Sequence, residues 1–314
     1  MMRSAARAYR LAVFSKNWTN AAYAGARLGA DRLARRLGCH LTHFVPTRAD
    51  DVAEQRALLE TALAERPDAI LLAPTHATAL NDVLSGLQAL GIPLLCFVSH
   101  PLGVEPACFV GADDHELARG SANYLFDHVA GAANDNANIV SIEGHANAMT
   151  TAPRADGFRA AAAARAGICS VGSHSGDFQF DGGKAAMAAH LQAQARIDGV
   201  LAANDALALG AIEVMRQSRR WSAIVGVNAT PEGVEAIKRG ELLASAAFDA
   251  MKMTSLALEA AVRVLSGKAV PPQLLLPVEI VDRANCALWD RPYEARSLPD
   301  WHQYVGQSFA EDGG

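Results

Sequence analysis

The chain has 314 residues, 51% of them hydrophobic, 19% charged and 6% aromatic, with a formal net charge of −5 at pH 7. That length accommodates two domains of roughly 150 residues each, and the aliphatic content is enough for a large core. The mildly acidic balance speaks against a nucleic-acid binder, which needs a basic patch, and no window of the sequence approaches a transmembrane span.

In chain order, the start MMRSAARAYRLAVFSKNW is basic, but its first apolar run, Leu11 to Phe14, is too short for a secretory leader and reads as a strand. Either the protein stays in the cytoplasm or this start lies downstream of a leader. Further apolar runs read as buried strands at 40–45, 69–74, 93–98, 138–144, 199–204, 222–228, 243–249 and 275–281. Between most of them lie Ala/Leu-rich segments with helical periodicity, at 19–37, 51–65, 77–90, 114–130, 181–195, 205–217, 231–239 and 250–266. Continuous apolar strands alternating with helices imply parallel sheets covered on both faces, with right-handed crossovers. So many strands exceed one doubly wound sheet of ordinary width, so two α/β domains are expected. The stretch GAANDNAN at 131–138 reads either as a boundary or as a helix-to-strand turn. The residues after 285 break the alternation and read as a tail on the surface.

Five cysteines, at 39, 96, 108, 169 and 286, form no CxxC or ligand-spaced cluster. Four lie in or beside apolar runs, so they read as buried thiols. There is no GxxxxGK[ST], no HExxH, and no GxGxxG after the first strand. The GxxxG of Gly25 and Gly29 falls inside the first helix, too far along to cradle a phosphate. GSHSG at 172–176 has His174 where a nucleophile elbow needs serine. An enzyme, a bound metal and a cofactor therefore all lack support.

Ligands of open α/β sheets bind beyond the carboxyl ends of the strands. The residues there are SKNWTN after the first run, Pro74-Thr75-His76 after the third and Ser99-His100 after the fourth. Later come Arg154, Asn204-Asp205, Asn228 and Phe248-Asp249. Capping explains one polar residue per strand end: Thr75 for the helix that follows, Asp113-Asp114 for the helix at 114, and either Asn204 or Asp205 for the helix at 205. It does not explain an arginine among them.

Several stretches, taken together and in order, resemble a known family. They are TNAAYAGARLGADRLARRLG, DAILLAPTHATALNDVLSGLQALGIPLL, FVGADDHELARGSANYL, RADGFRAA, DGVLAANDALALGAIEVM and VGVNATPEGVEAIKRGELLASAA. The chain resembles the type I periplasmic binding proteins, in particular the ribose-binding-like group that feeds ABC transporters, over about residues 9 to 285. The resemblance implies two similar doubly wound parallel-sheet lobes joined by a three-strand hinge and closing on a sugar-like ligand. It places residues 1–113 and 249–274 in one lobe, 114–248 and 275–290 in the other, and 291–314 in a surface tail. It implies a periplasmic location, an ABC permease or membrane sensor as partner, no nucleic acid, and a monomer. The effector-binding half of a LacI-type regulator shares the fold and is the second reading. A DNA-binding segment ahead of the first strand would mark it.

By the same resemblance, Tyr23 packs on the sugar face with Trp18 just before it, Arg154 donates to ligand hydroxyls, Phe178 is a second stacking ring and Asn204 is a polar contact. Asn204 would then face the ligand while Asp205 caps the helix. The sequence departs from the group at Ser99-His100, where an Asp-Arg pair is usual, at Asn228 in place of an aspartate, and at Phe248 in place of a glutamine. The acidic grip of a pentose or hexose site is reduced. The expected ligand is therefore less hydroxylated than ribose, differently shaped or partly anionic, with Arg154, His76 and His100 as the cations for an anion.

Overall fold

The computed structural model describes residues 7–130 and 136–305. Elements follow in chain order: β1 (Arg10–Phe14), α1 (Ala21–Leu37), β2 (His40–Phe44), α2 (Val52–Glu65), β3 (Ala69–Leu72), α3 (Asn81–Ala89), β4 (Leu94–Phe97), β5 (Cys108–Ala112) and α4 (Asp114–Ala130). Then come β6 (Ala137–Glu143), α5 (Thr151–Ala163), β7 (Ile168–Ser175), α6 (Phe180–Ala193), β8 (Gly199–Ala202), α7 (Asp205–Gln217), β9 (Ala223–Asn228) and α8 (Pro231–Arg239). The chain continues through β10 (Ala244–Ala247), α9 (Ala250–Leu265), β11 (Gln273–Leu276) and β12 (Ile280–Asp282).

Among the described residues these strands form two six-stranded sheets, ordered β2-β1-β3-β4-β5-β11 and β7-β6-β8-β9-β10-β12. In each, the first strand of the unit lies inside the second, so the order reverses next to it. That reversal is where doubly wound sheets open a ligand crevice. Of the described residues, those up to Gly111, Ala250–Leu276 and those from Arg296 form one compact unit, and those within Ala112–Asp249 and Pro277–Ala295 form the other. The 131–138 stretch therefore bounds no domain: α4 and β6 belong to the same unit, and residues 131–135 lie outside the described residues. The same holds for residues 306–314 of the tail.

Central strands β3, β4 and β8 are buried along their whole length, as strands covered on both faces must be. Phe14 lies opposite Phe44 and Leu72 in register, and the two phenyl rings stack at 4.8 Å. Several helices start on side-chain caps that satisfy otherwise orphaned N–H groups, each contributing about 1 kcal/mol. Asn20 caps α1, Asp51 caps α2, and Thr230 caps α8, with Pro231 at its first turn. Gly29 is the point where α1 meets α9: a Cβ there would lie 2.7 Å from the Met251 carbonyl. That close packing accounts for the glycine spacing in α1.

The sequence reading differs from the structure in several places. β5, β7 and α5 were not anticipated. The run 275–281 is not one strand. Pro277 separates β11 in the first sheet from β12, which pairs antiparallel with β10 in the second. α3 begins at Asn81 and not at 77, because His76 Nδ1 accepts Thr78 N and Ala79 N, both at 3.1 Å, and holds a separate turn. Thr75 caps nothing: its N–H and hydroxyl both donate to Gln55 Oε1. Cys96, Cys108 and Cys286 are buried, and burial pushes the Cys108 thiol up to about 12, but Cys39 and Cys169 are half-buried. In the tail, Trp301 is only 4% exposed and lies 4.8 Å from the Arg263 guanidinium, while Trp289 Nε1 donates to Glu279. Among the described residues no helix is long and apolar enough to cross a membrane.

Candidate functional site

In the first unit the chain leaves β1 through buried Ser15, Lys16 and Asn17. Asn17 Oδ1 accepts Asn20 N at 2.9 Å, and its Nδ2 donates to Asp50 at 3.2 Å, which fixes the turn into α1. Arg27 donates to Ser15 Oγ and to the Asn17 carbonyl, both at 3.1 Å, and lies 4.3 Å from the Trp18 ring. Trp18 is 57% exposed, whereas Tyr23 is buried in α1. After β4 the backbone turns sharply: Val98 is left-handed (φ 69) and Ser99 N donates to the Phe97 carbonyl at 2.7 Å. The Ser99 hydroxyl is buried, and among the described residues it has no hydrogen-bond partner. His100 Nδ1 donates to the Pro101 carbonyl at 3.0 Å, and its ring tilts on Phe109 at 4.6 Å.

The second unit gathers more of the expected residues. Arg154, in the first turn of α5, is buried with Asp114 of α4: Nε donates to Oδ1 at 2.7 Å. Nη1 donates to the Ala203 carbonyl at the end of β8. The guanidinium lies 5.1 Å from the Phe248 ring and 5.8 Å from the Phe178 ring, so phenyl faces supply part of its surroundings. Phe178 sits flat on Gly144, where a Cβ would come within 1.9 Å of the ring. Phe178 and its neighbour Asp177 are both left-handed, with φ of 61 and 52.

The cap of α7 is Asn204 and not Asp205. Asn204 caps α7, its Oδ1 accepting Leu207 N at 2.9 Å, and its Nδ2 donates to the Phe178 carbonyl at 3.0 Å. Asp205 caps nothing. Its fully buried carboxylate accepts Thr230 N at 2.7 Å and the Ser245 hydroxyl at 2.6 Å. Burial pushes it up to about 6, the hydrogen bonds from Ser245 and Thr230 pulling the other way and Glu232 adding to the rise. Asn228 does turn the chain, with φ 127, and Ala229 follows at φ 48.

Asp114, Ser245 and Thr230 escaped the sequence reading. Asp114 left one signal. Two aspartates stand where a single cap suffices, and Asp113 is the cap, accepting Glu116 N at 3.0 Å. The second was therefore free to meet a buried cation. The cationic set Arg154, His76 and His100 already has partners within its own surroundings. Arg154 is neutralised by Asp114, His76 Nδ1 is an acceptor for its own turn, and His100 is engaged with Pro101. His174 of GSHSG stands on β7 with its ring 4.5 Å from that of His190.

The sequence profile described as a periplasmic binding protein domain matches residues 11–269. The ribose import binding protein RbsB of Bacillus subtilis (strain 168) is 24% identical over 261 residues, 83% of each chain. The putative rhizopine-binding protein of Rhizobium meliloti is 28% identical over 246 residues, 76% of this chain and 79% of that one. Among solved structures, an ABC transporter solute binding protein from Mycobacterium smegmatis with bound glycerol matches with a TM-score of 0.84 and 26% identity, covering 91% of this chain and 99% of that chain. With the profile extending over most of its length, the chain belongs to the periplasmic binding protein domain family.

Proposed function

We propose that the protein is a solute-binding protein that captures a small, uncharged, hydroxylated molecule, a sugar or polyol, and delivers it to an ABC transporter. The observation that carries this reading is the buried Arg154 set against Phe178 and Phe248 with its charge already met by Asp114. Phenyl faces suit the C–H face of a sugar, and a neutralised guanidinium still donates to hydroxyls without demanding an anion. The ribose-binding and rhizopine-binding names of two relatives and the glycerol in a third support the same ligand class.

The binding set in this reading is Trp18, Tyr23, Ser99 and His100 from one unit and Arg154, Phe178, Asn228 and Phe248 from the other, with Asn204 acting through Phe178. Binding makes and breaks no bond. It favours a closed arrangement of the units by differential affinity, with the crossings near residues 111–112, 249–250 and 276–277 as hinges. The protein acts outside the cytoplasmic membrane, as a monomer, and presents the loaded form to a permease. A thermal-shift screen against pentoses, hexoses, polyols and sugar acids tests this. A ligand at 100 times its Kd adds about 2.7 kcal/mol and lifts the melting temperature clearly. Sugar acids as the only hits would overturn the uncharged class, and no hit at millimolar concentration would overturn the reading.

A further inference from the structure

The two polar residues that follow β8 reach into two different loops. Through Nδ2, Asn204 holds the Phe178 carbonyl in the β7–α6 loop, 26 residues earlier. Asp205 holds the β9–α8 loop twice. Its Oδ2 accepts Thr230 N directly, and its Oδ1 accepts the Ser245 hydroxyl, whose oxygen in turn accepts Ala229 N at 2.9 Å. Both loops contain consecutive non-glycine residues in the left-handed region: Asp177-Phe178 in one and Asn228-Ala229 in the other. Such conformations persist only where surrounding contacts over-determine them. Here one contact to each loop comes from adjacent residues of one dipeptide, beside local bonds such as that of Asp177 N to Ser175 Oγ.

The space around the carboxylate is built for it. A Cβ on Gly226 would lie 2.4 Å from Oδ1, and one on Gly233 would lie 2.4 Å from Oδ2, so β9 and the start of α8 close on the group from both sides. A cap alone needs one polar residue, and Asn204 already supplies it.

We propose that Asn204-Asp205 is a two-armed positioning device, fixing Phe178 through one arm and the backbone after Asn228 through the other, and that it sets ligand affinity through those two loops. This rests on the reading above, in which Phe178 and Asn228 face the ligand. The carboxylate form is the stronger arm, because both of its oxygens accept. Of the charged groups on the elements packed around it, Glu232 of α8 is the one that acts on it.

Two near-isosteric exchanges separate the arms from the cap. Asn204→Asp keeps the capping oxygen but cannot donate to the Phe178 carbonyl. Asp205→Asn keeps one acceptor of two and removes the titration. The full chain and both variants would be followed by segment-resolved amide exchange without ligand at pH 7.5, and by titration calorimetry with D-ribose, xylitol and myo-inositol as probes. In Asn204→Asp, exchange should rise about fivefold or more in 176–179 and not in 228–230, with the converse in Asp205→Asn. Each variant should lose about tenfold in affinity, the size of one hydrogen bond, with a melting temperature no lower than wild type for Asp205→Asn. Unchanged exchange in both loops overturns the device, as does equal loosening everywhere with a lowered melting temperature, which marks a merely structural role. If exchange changes as expected but wild type binds none of the probes, the solute reading and the affinity claim fall together while the loop tethers stand.

Discussion

The two units are wound alike but hold their strand-end loops differently. Each has a sheet in which the unit's first strand lies one place in from the edge, flanked by the second strand on one side and the third on the other. In the first unit the loop after β3 is tethered from below: fully buried Gln55 of α2 donates to the Ala73 carbonyl at 3.0 Å and accepts from Thr75 N at 2.8 Å and from the Thr75 hydroxyl. In the second, the tethers come from the start of α7 itself, sideways into the neighbouring loops. The first unit also leaves a buried hydroxyl without a partner among the described residues, at Ser99, whereas the second surrounds its one buried arginine with a carboxylate, a carbonyl and two rings. Similar apolar patterns yield similar winding; the polar residues at strand ends decide what each unit offers a ligand.

The largest effect that would sharpen this contrast is expected from Arg154→Ala. It removes the buried cation that faces Asp114 and the donor to the Ala203 carbonyl, so urea denaturation of the ligand-free protein should show a loss of about 3–5 kcal/mol, with ligand binding abolished. A loss under about 1 kcal/mol, of surface-pair size, would show that the pair is not a buried one in solution. Next comes the pH dependence of Asp205. Its folded value near 6 lies above its ordinary 3.8, so the protonated form stabilises the fold below pH 4 and that contribution is lost as pH rises through 6. The stability of wild type relative to Asp205→Asn should fall across pH 4 to 7 by an amount on the order of 3 kcal/mol. A constant difference over that window would contradict the buried carboxylate. The smallest effect is at Ser99. Removing an unpartnered buried hydroxyl in Ser99→Ala should leave the ligand-free melting temperature unchanged or raise it, by about 1 kcal/mol at most, while weakening the ligand. A destabilised variant would reveal a partner for that hydroxyl.

Much of the fold was legible because it rests on local pattern. β3, β4 and β8 are short, wholly apolar and buried, and α7, α8 and α9 carry strong amphipathic or apolar periodicity, with side-chain N-caps on α7 and α8. The unread elements lack that contrast. β7 is an edge strand, half exposed, whose GSHS carries no apolar run. α5 contains Pro153 and Gly157, which read as loop residues, yet proline in the first turn of a helix removes no hydrogen bond. Within the site, Arg154 stood out as the cation that capping could not explain, but its partner did not, since Asp114 lies 40 residues away and looked like a cap. Which of Asn204 and Asp205 caps α7 was illegible for the same reason. Either residue caps equally well in sequence, and only the positions of Phe178, Thr230 and Ser245 decide which one does.

The most direct test of the account is calorimetric titration of the best sugar or polyol from the thermal screen into wild type, Ser99→Ala and Phe178→Ala, one variant from each unit. The account predicts that both variants weaken binding, by about tenfold or more each, because the ligand takes hydrogen bonds from one unit and a ring face from the other. Full wild-type affinity in either variant would contradict it and confine the ligand to a single unit.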